Sequence, residues 1–217
     1  MTGHPSQRSD ASGTIGGIAI PTQFDDAYAR LVTAELEARG IAIGPGFRGP
    51  EFEAIELAVG SPIPPELRRL WEAGVPTGKD FPSWRNDPIG EAKHFRDWIA
   101  GAVRFDVEKG QYWHPSWGPR PTEDQTAVAR ALEILSGAPP MIRVFSHRFM
   151  TTEPHGWGNP VLSVWQMVDS VYYGFDLADY LAKEFEVTRP DWAASAPPFV
   201  PFWGQLFGLE SPTGSGQ

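Results

Sequence analysis

The sequence predicts an α+β fold: a single domain with a mostly antiparallel or mixed sheet flanked by helices. Apolar residues recur at three- and four-residue spacing in the first half of the chain, which is typical of helices. In the second half they fall into short β-branched or aromatic runs, and further helical patterns lie among these runs. The chain of 217 residues is 41% hydrophobic and holds 9 Trp, which is enough apolar material for a core.

The first half of the chain predicts a series of amphipathic helices with recognisable ends. Asp87 before Pro88 supplies a cap and a first-turn proline, and Pro64–Pro65 opens a shorter helix that stops at Gly74. The predicted helices are, in order, one that begins near Thr22 and Asp25 and ends at Gly40, then Glu51–Val59, Pro65–Gly74, and Asp87 to Val103.

The apolar period changes after Val103. Val103, Phe105 and Val107 alternate with charged residues, and Lys109–Gly110 supplies a turn. Alternation around a Gly-containing turn is typical of a hairpin, so a hairpin is predicted over Val103–Trp113.

The remaining pattern combines helices with short strands. Thr122 and Gln125 form a capping-box pattern before a helix that runs to Gly137, and Asp176 caps a final helix. Strands are predicted at Met141–Phe145, Val161–Trp165 and Val171–Tyr173, with the intervening residues in loops.

The chain ends lack an apolar period. Residues 1–17 and 208–217 are therefore predicted to be disordered tails around one domain at 18–207. The sequence has no apolar run of the ~18 residues that a membrane span needs, and its beginning lacks a signal-peptide layout. We expect a cytoplasmic protein with no membrane partner.

The charge balance indicates the class of partner. The chain carries 18 Lys and Arg against 27 Asp and Glu, a net charge of −9. Nucleic acids and anionic membranes are bound through clustered positive charge, so neither is an expected partner. A basic protein is the expected partner.

Candidate catalytic motifs are weak. Gly44–Gly49 satisfies G-x-G-x-x-G, but a helix precedes it and Pro45 removes an amide donor, so a linker is the better interpretation. The chain has no Cys, which excludes thiolate sites. His114, His147 and His155 could converge with Asp169 in a hydrolytic metal site, an alternative that we keep open. No catalytic residue, cofactor or metal is predicted.

An ordered string of motifs resembles the SUKH superfamily, which contains bacterial toxin-immunity proteins and a fungal regulator of cell-wall glucan synthesis. The resemblance is strongest over residues 51–203. Its segments are Ile63–Leu67 with Trp71 and Gly74, Phe105–Glu108 with Trp113 and Trp117–Pro121, His147–Phe149 with Glu153–Pro154 and Gly158–Val164, Asp169 with Tyr172–Gly174, and Leu177–Phe185 with Pro201–Trp203.

The resemblance implies an α+β fold without catalytic activity, and an immunity protein that binds and neutralises a cognate toxin domain, often a nuclease. A regulatory interaction scaffold that acts through its tails is the alternative. The predicted partner-binding residues are His114, Trp117, His147, Arg148, Glu153 and Trp157. The residues predicted to maintain the structural motif are Asp106, Glu108, Trp113, Gly118, Asn159, Pro160, Asp169 and Gly174. An Arg148–Asp169 ion pair that locks a loop is a purely structural alternative for these two residues.

Overall fold

The computed structural model describes residues 23–154 and 156–208, and also the backbone of 14–15 and 18–19. Its helices are α1 (Asp26–Ala38), α2 (Gly49–Val59), α3 (Pro65–Ala73), α4 (Pro88–Glu108), α5 (Asp124–Leu135), α6 (Leu177–Phe185) and α7 (Trp203–Leu206), with a 3-10 helix at Pro115–Trp117. Its strands are β1 (Thr14–Ile15), β2 (Ile18–Ala19), β3 (Ala42–Gly44), β4 (Val75–Thr77), β5 (Met141–Phe145), β6 (Arg148–Thr151), β7 (Val161–Val164) and β8 (Ser170–Gly174). The predicted α+β class is confirmed.

Aspartate caps begin three of the helices. Asp25 accepts a hydrogen bond from the backbone N–H of Tyr28 at 2.8 Å, and Asp87 accepts one from Gly90 at 2.8 Å. Asp176 accepts one from Asp179 at 2.7 Å. Each carboxylate satisfies an amide that has no partner within its helix. The predicted caps at Asp87 and Asp176 are confirmed, while Thr22 lies outside the described residues.

The central element is an antiparallel sheet in which β5, β6, β7 and β8 follow each other in chain order. The two-residue turn Ser146–His147 joins β5 to β6, and Ser146 there has a positive φ of 44°. Two smaller antiparallel pairs, β1 with β2 and β3 with β4, accompany this sheet. Short connections make each strand the neighbour of the next, as antiparallel pairing allows.

Both faces of the four-stranded sheet are buried. Ile142, Met150 and Val161 pack on one face against residues from α1, α2, α3 and α6. Met141, Phe149 and Leu162 pack on the other face against α4, α5 and the C-terminal residues around Trp203. Burial on both sides explains why neighbouring residues of one strand, such as Met141 and Ile142, are both apolar.

The predicted hairpin over Val103–Trp113 is wrong, because α4 continues to Glu108. Ile99, Val103 and Val107 are all buried and are spaced four residues apart, so they extend the helical stripe. The apparent alternation is coincidental: Phe105 is largely exposed, and its charged neighbour Asp106 is fully buried.

Other details also differ from the sequence prediction. β6 lies where a loop is predicted, and β4 and α7 have no predicted counterpart. α5 begins after Glu123 with no side-chain cap from Thr122, and β1 lies inside the predicted tail 1–17. The rest of that tail and residues 209–217 lie outside the described residues. β6 is short and its ends are polar, which is why a period-based prediction overlooks it.

The Gly44–Gly49 segment has a packing role. A Cβ at Gly46 would lie 2.7 Å from the carbonyl carbon of Glu72 and 3.1 Å from the carbonyl oxygen of Trp71. Phe47 donates its backbone N–H to that same Trp71 oxygen at 2.8 Å. The segment therefore needs glycine so that it can lie close to the end of α3, in agreement with its interpretation as a linker.

Candidate functional site

The six predicted partner-binding residues fall into three places along the chain. His114 and Trp117 belong to the 3-10 segment after α4, His147 and Arg148 lie where β5 turns into β6, and Glu153 and Trp157 lie on the loop between β6 and β7. Glu153 is partly buried, whereas Trp157 is 49% exposed. Only the second pair forms a cluster of directly bonded side chains within the described residues.

The 3-10 segment is mainly structural. Trp117 is only 6% exposed and packs edge-on against Tyr112 and Trp113. Trp117, one of the predicted partner-binding residues, is therefore buried, because Tyr112, Trp113 and Trp117 form a small aromatic core after the end of α4. Trp113 donates its indole N–H to the carbonyl oxygen of Gly118 at 2.7 Å, and the His114 ring bonds to Ser116 at 2.7 Å.

Arg148 is the centre of a network that joins three strands to a helix. Its Nε donates to Glu184 Oε2 on α6 at 2.9 Å, and its Nη1 donates to Ser163 Oγ on β7 at 2.8 Å. The guanidinium also lies 3.8 Å from the centroid of the Tyr173 ring on β8. The predicted Arg148–Asp169 pair is wrong: Glu184 is the carboxylate that Arg148 binds, and Asp169 is exposed.

His147 is held as a neutral imidazole. Burial and the adjacent Arg148 guanidinium lower the pKa of His147 below its ordinary 6.5. Arg148 Nη1 donates to His147 Nε2, and Nδ1 faces Ser146 Oγ at 3.2 Å. Nε2 must then be the unprotonated nitrogen, and its lone pair is already in use. This arrangement does not favour His147 as a metal ligand.

The alternative of a hydrolytic metal site requires His114, His147, His155 and Asp169 to lie close together. Across residues 23–154 and 156–208, no group of three or more His, Cys, Asp and Glu is placed to hold a metal ion. His155, one member of the proposed set, lies outside the described residues.

A small apolar surface lies next to the His147–Arg148 cluster. We define the β7–β8 patch as His147, Trp165 and Val168. Trp165 is 51% exposed, and its ring packs edge-on against His147 at 5.3 Å between centroids. It also contacts Trp98 of α4, whose indole N–H donates to the carbonyl oxygen of Val164 at 2.8 Å. Trp165 is therefore exposed on one side and supported on the other.

Asp106 fixes the loop that carries this patch. Its carboxylate is fully buried, and Oδ2 accepts hydrogen bonds from the backbone N–H groups of Met167 at 2.7 Å and Val168 at 3.3 Å. Its carbonyl oxygen accepts from Gln111 at 2.9 Å. Asp106 thus connects the end of α4 to the β7–β8 loop, which explains its place in the predicted structural motif. Glu108, two residues later, is exposed.

Three further residues of the predicted structural motif determine the path of the backbone. Pro160 is buried, and its carbonyl oxygen accepts from Thr151 at 3.2 Å. Gly118 ends the 3-10 helix with a φ of 78°, a conformation that favours glycine. Gly174 is buried directly against Tyr180 of α6. These positions determine where the chain turns and how closely β8 approaches α6.

Sequence reasoning missed Glu66 as a site residue. It stands in the first turn of α3, where an acid usually faces solvent and the positive end of the helix dipole. Here it is 2% exposed, because the β6–β7 loop covers it. Its Oε1 accepts from the backbone N–H groups of Gly158 at 2.6 Å and Asn159 at 3.2 Å. Because these hydrogen-bond partners lie about 90 residues away in the chain, the sequence around Glu66 does not indicate that it is buried. Only the fold shows that the β6–β7 loop covers it.

Glu66→Gln gives a test of this burial through the pH dependence of stability. Burial raises the pKa of Glu66 above its usual 4.5, so the native protein holds the proton more tightly than the unfolded chain. Its contribution to stability is fully present below pH 4.5 and is lost as the pH rises through the native pKa. Gln keeps the oxygen that accepts both amides and does not titrate. The wild-type free energy of unfolding should therefore fall relative to that of E66Q as pH rises, measured by urea denaturation from about pH 4 to 8.

Because the test uses the difference between the two proteins, the titration of all other groups cancels. A difference that stays constant over this pH range would contradict the burial of an ionisable Glu66.

Among the described residues, no helix has the length and apolar character that crossing a membrane requires. The chain was also compared with known proteins. No family model, curated protein or solved structure matches it.

Proposed function

We propose that this chain is a non-enzymatic immunity protein that binds a basic toxin domain in the cytoplasm and neutralises it by covering its functional surface. The observation that carries the proposal is the β7–β8 patch, in which a half-exposed Trp165 is held on a fixed loop. Exposed and rigidly supported aromatic residues are typical of the centres of protein interfaces. The resemblance to immunity proteins supplies the class of partner.

Charge supports the same partner. A nuclease toxin needs positive charge to hold a phosphate backbone, and a chain with a net charge of −9 attracts such a surface. Attraction of this kind accelerates encounter and is screened by salt over about 8 Å at physiological ionic strength. The largely buried Glu184–Arg148 pair and the neutral His147 add no net charge beside the patch, whose exposed side chains, Trp165 and Val168, are aromatic and apolar.

The direct test is rescue by co-expression. Cells that express the C-terminal domain of a toxin encoded by a neighbouring gene should grow when this chain is co-expressed, and should die without it. Association rates measured by stopped flow should fall as salt is added, while dissociation rates change little. Failure of rescue with folded, soluble protein, as judged by circular dichroism, would count against the proposal for that toxin.

Trp165→Ala is expected to weaken toxin binding about tenfold or more, because interface Trp residues commonly contribute ~2 kcal/mol or more. The matched control is Leu57→Ala on α2, which removes a side chain that is 86% exposed and should leave affinity unchanged. Isothermal titration calorimetry with purified toxin domain measures both. Equal affinity for the W165A and L57A variants would show that the patch is not the contact surface.

A further inference from the structure

A second feature with the chemistry of a binding site lies away from the β7–β8 patch. A cavity of about 240 Å³ opens between the start of α1, the start of α3, the β6–β7 loop and the start of α6. Its walls include Phe24, Glu66, Trp157, Asp176 and Trp192. Cavities for drug-sized ligands are usually ~300 Å³ or larger, so this one suits a group of side-chain size.

Glu66, which lines one wall of the cavity, has one unpaired carboxylate oxygen. Glu66 Oε1 takes both amide hydrogen bonds, whereas Oε2 is buried with no hydrogen-bond partner among the described residues. A buried carboxylate that uses only one of its oxygens is costly unless a donor or a cation satisfies the other. Asp176 differs, because its two oxygens accept from Asp179 at 2.7 Å and Ala194 at 2.6 Å. Glu66 is thus the acid in this cavity that has bonding capacity left.

The aromatic walls favour the same class of occupant. Trp157 is 49% exposed, and the guanidinium of Arg69 already lies 5.5 Å from the centroid of its ring. Indole faces attract cations, so carboxylates and aromatic rings together form a site for an organic cation. The indole Nε1 of Trp192 is also buried without a partner among the described residues, and it requires an acceptor such as an amide carbonyl.

The charged groups around Glu66 are mixed in sign. Asp176 on α6 is negative, and Arg69 on α3 is positive but paired with Asp26 on α1. Arg189, which follows the end of α6, is paired with Asp179 at 3.0 Å. Both arginines therefore have carboxylate partners, so neither is paired with the acids that line the cavity, Glu66 and Asp176.

We propose that this cavity binds the guanidinium or ammonium group of an arginine or lysine side chain, with Glu66 Oε2 as the charge partner and the Trp157 ring as the cation–π wall. The assignment of that side chain to the basic toxin domain rests on the proposed function. The preference of the cavity for a cationic group is independent of the proposed function. An amide carbonyl next to the side chain meets the need of Trp192.

The first test uses small probes and nuclear magnetic resonance. Nα-acetyl-arginine amide and Nα-acetyl-lysine amide should shift the indole N–H signals of Trp157 and Trp192 saturably in the millimolar range. Nα-acetyl-citrulline amide has the same shape as the arginine probe but no charge, and should cause no saturable shift. Tetramethylammonium carries a positive charge but no hydrogen-bond donor. It therefore distinguishes a cavity that requires donors from one that requires charge alone. Equal shifts with citrulline, or none with any cation, would overturn the proposal.

Variants assign the effect to Glu66. Glu66→Gln should weaken binding of the arginine probe at least tenfold, and the matched control Glu53→Gln, an exposed acid on α2, should not. A cation favours the ionised form of Glu66, so binding to the wild type should strengthen as pH rises from about 5 to 8, and this trend should be absent from E66Q. Binding with the same pH trend in E66Q would overturn the role of Glu66.

Failure of this proposal can be told apart from failure of the proposed function. If the probes bind but E66Q keeps full affinity for the toxin domain in calorimetry, the cavity does not receive a toxin side chain, although the toxin is still bound. If E66Q lowers toxin affinity tenfold or more while L57A does not, the cavity is part of the interface.

Discussion

Gly174→Ala is expected to destabilise the protein by about 3 kcal/mol, because β8 and α6 are too close to admit a methyl group. A Cβ at position 174 would lie 2.6 Å from Tyr180 Cα and 2.8 Å from Tyr180 N. These are backbone atoms of a helix, so no side-chain rotation relieves the clash. Either β8 leaves its register with β7 or α6 moves away from the sheet, and both changes open the core.

Urea denaturation of wild type and G174A measures this loss. The matched control is Gly101→Ala in α4, where an added Cβ meets nothing within 4 Å. That change should stabilise the protein slightly, by about 0.5–1 kcal/mol, because alanine is the better helix former. A G174A variant as stable as G101A would show that β8 and α6 do not approach as closely as described.

Arg148→Met is expected to cost about 3 kcal/mol, since it leaves Glu184 charged in a nearly closed site. The side chains of the pair are only 12% and 16% exposed. The same change also removes the hydrogen bond to Ser163 and the guanidinium that lies over Tyr173. Three contacts between β6, β7, β8 and α6 are lost together.

A double-mutant cycle with Glu184→Gln separates the ion pair from the other contacts. The R148M/E184Q double variant should lose at least about 1 kcal/mol less than the sum of its single variants, because Met no longer leaves a charged partner. The exposed pair Lys93–Asp97, with side chains 65% and 61% exposed, is the control and should couple by less than about 0.5 kcal/mol. Purely additive losses at 148 and 184 would contradict a functional ion pair there.

The helices of the first half could be predicted because their signals are local. Asp87, Pro65 and the spacing of Phe52, Ile55 and Val59 determine where helices begin and which face is buried. The end of α4 could not be predicted from alternation, since Val103 and Val107 fit both a period of two and a helical repeat. Only the tertiary structure decides between them, by burying Asp106 and exposing Phe105.

The candidate sites were predicted in part. His147 and Arg148 are both among the predicted partner-binding residues, and the structure places them in direct contact. The carboxylate that binds Arg148 is Glu184, 36 residues away, and not Asp169. Trp157 was predicted and is exposed, whereas Glu66 was missed. Glu66 is buried by the β6–β7 loop, which lies about 90 residues later in the chain. A contact over that separation leaves no periodic pattern in the sequence.

The contacts of Asp106 determine which side chains of the β7–β8 loop can change without a change in the shape of that loop. It holds the β7–β8 loop through the main-chain amides of Met167 and Val168, and main-chain amides are present whatever the side chain, proline excepted. Residue 168 can therefore be exchanged without loss of the anchor. Relatives that keep an aspartate at position 106 but differ at 168 would share one loop shape and display different recognition chemistries on it.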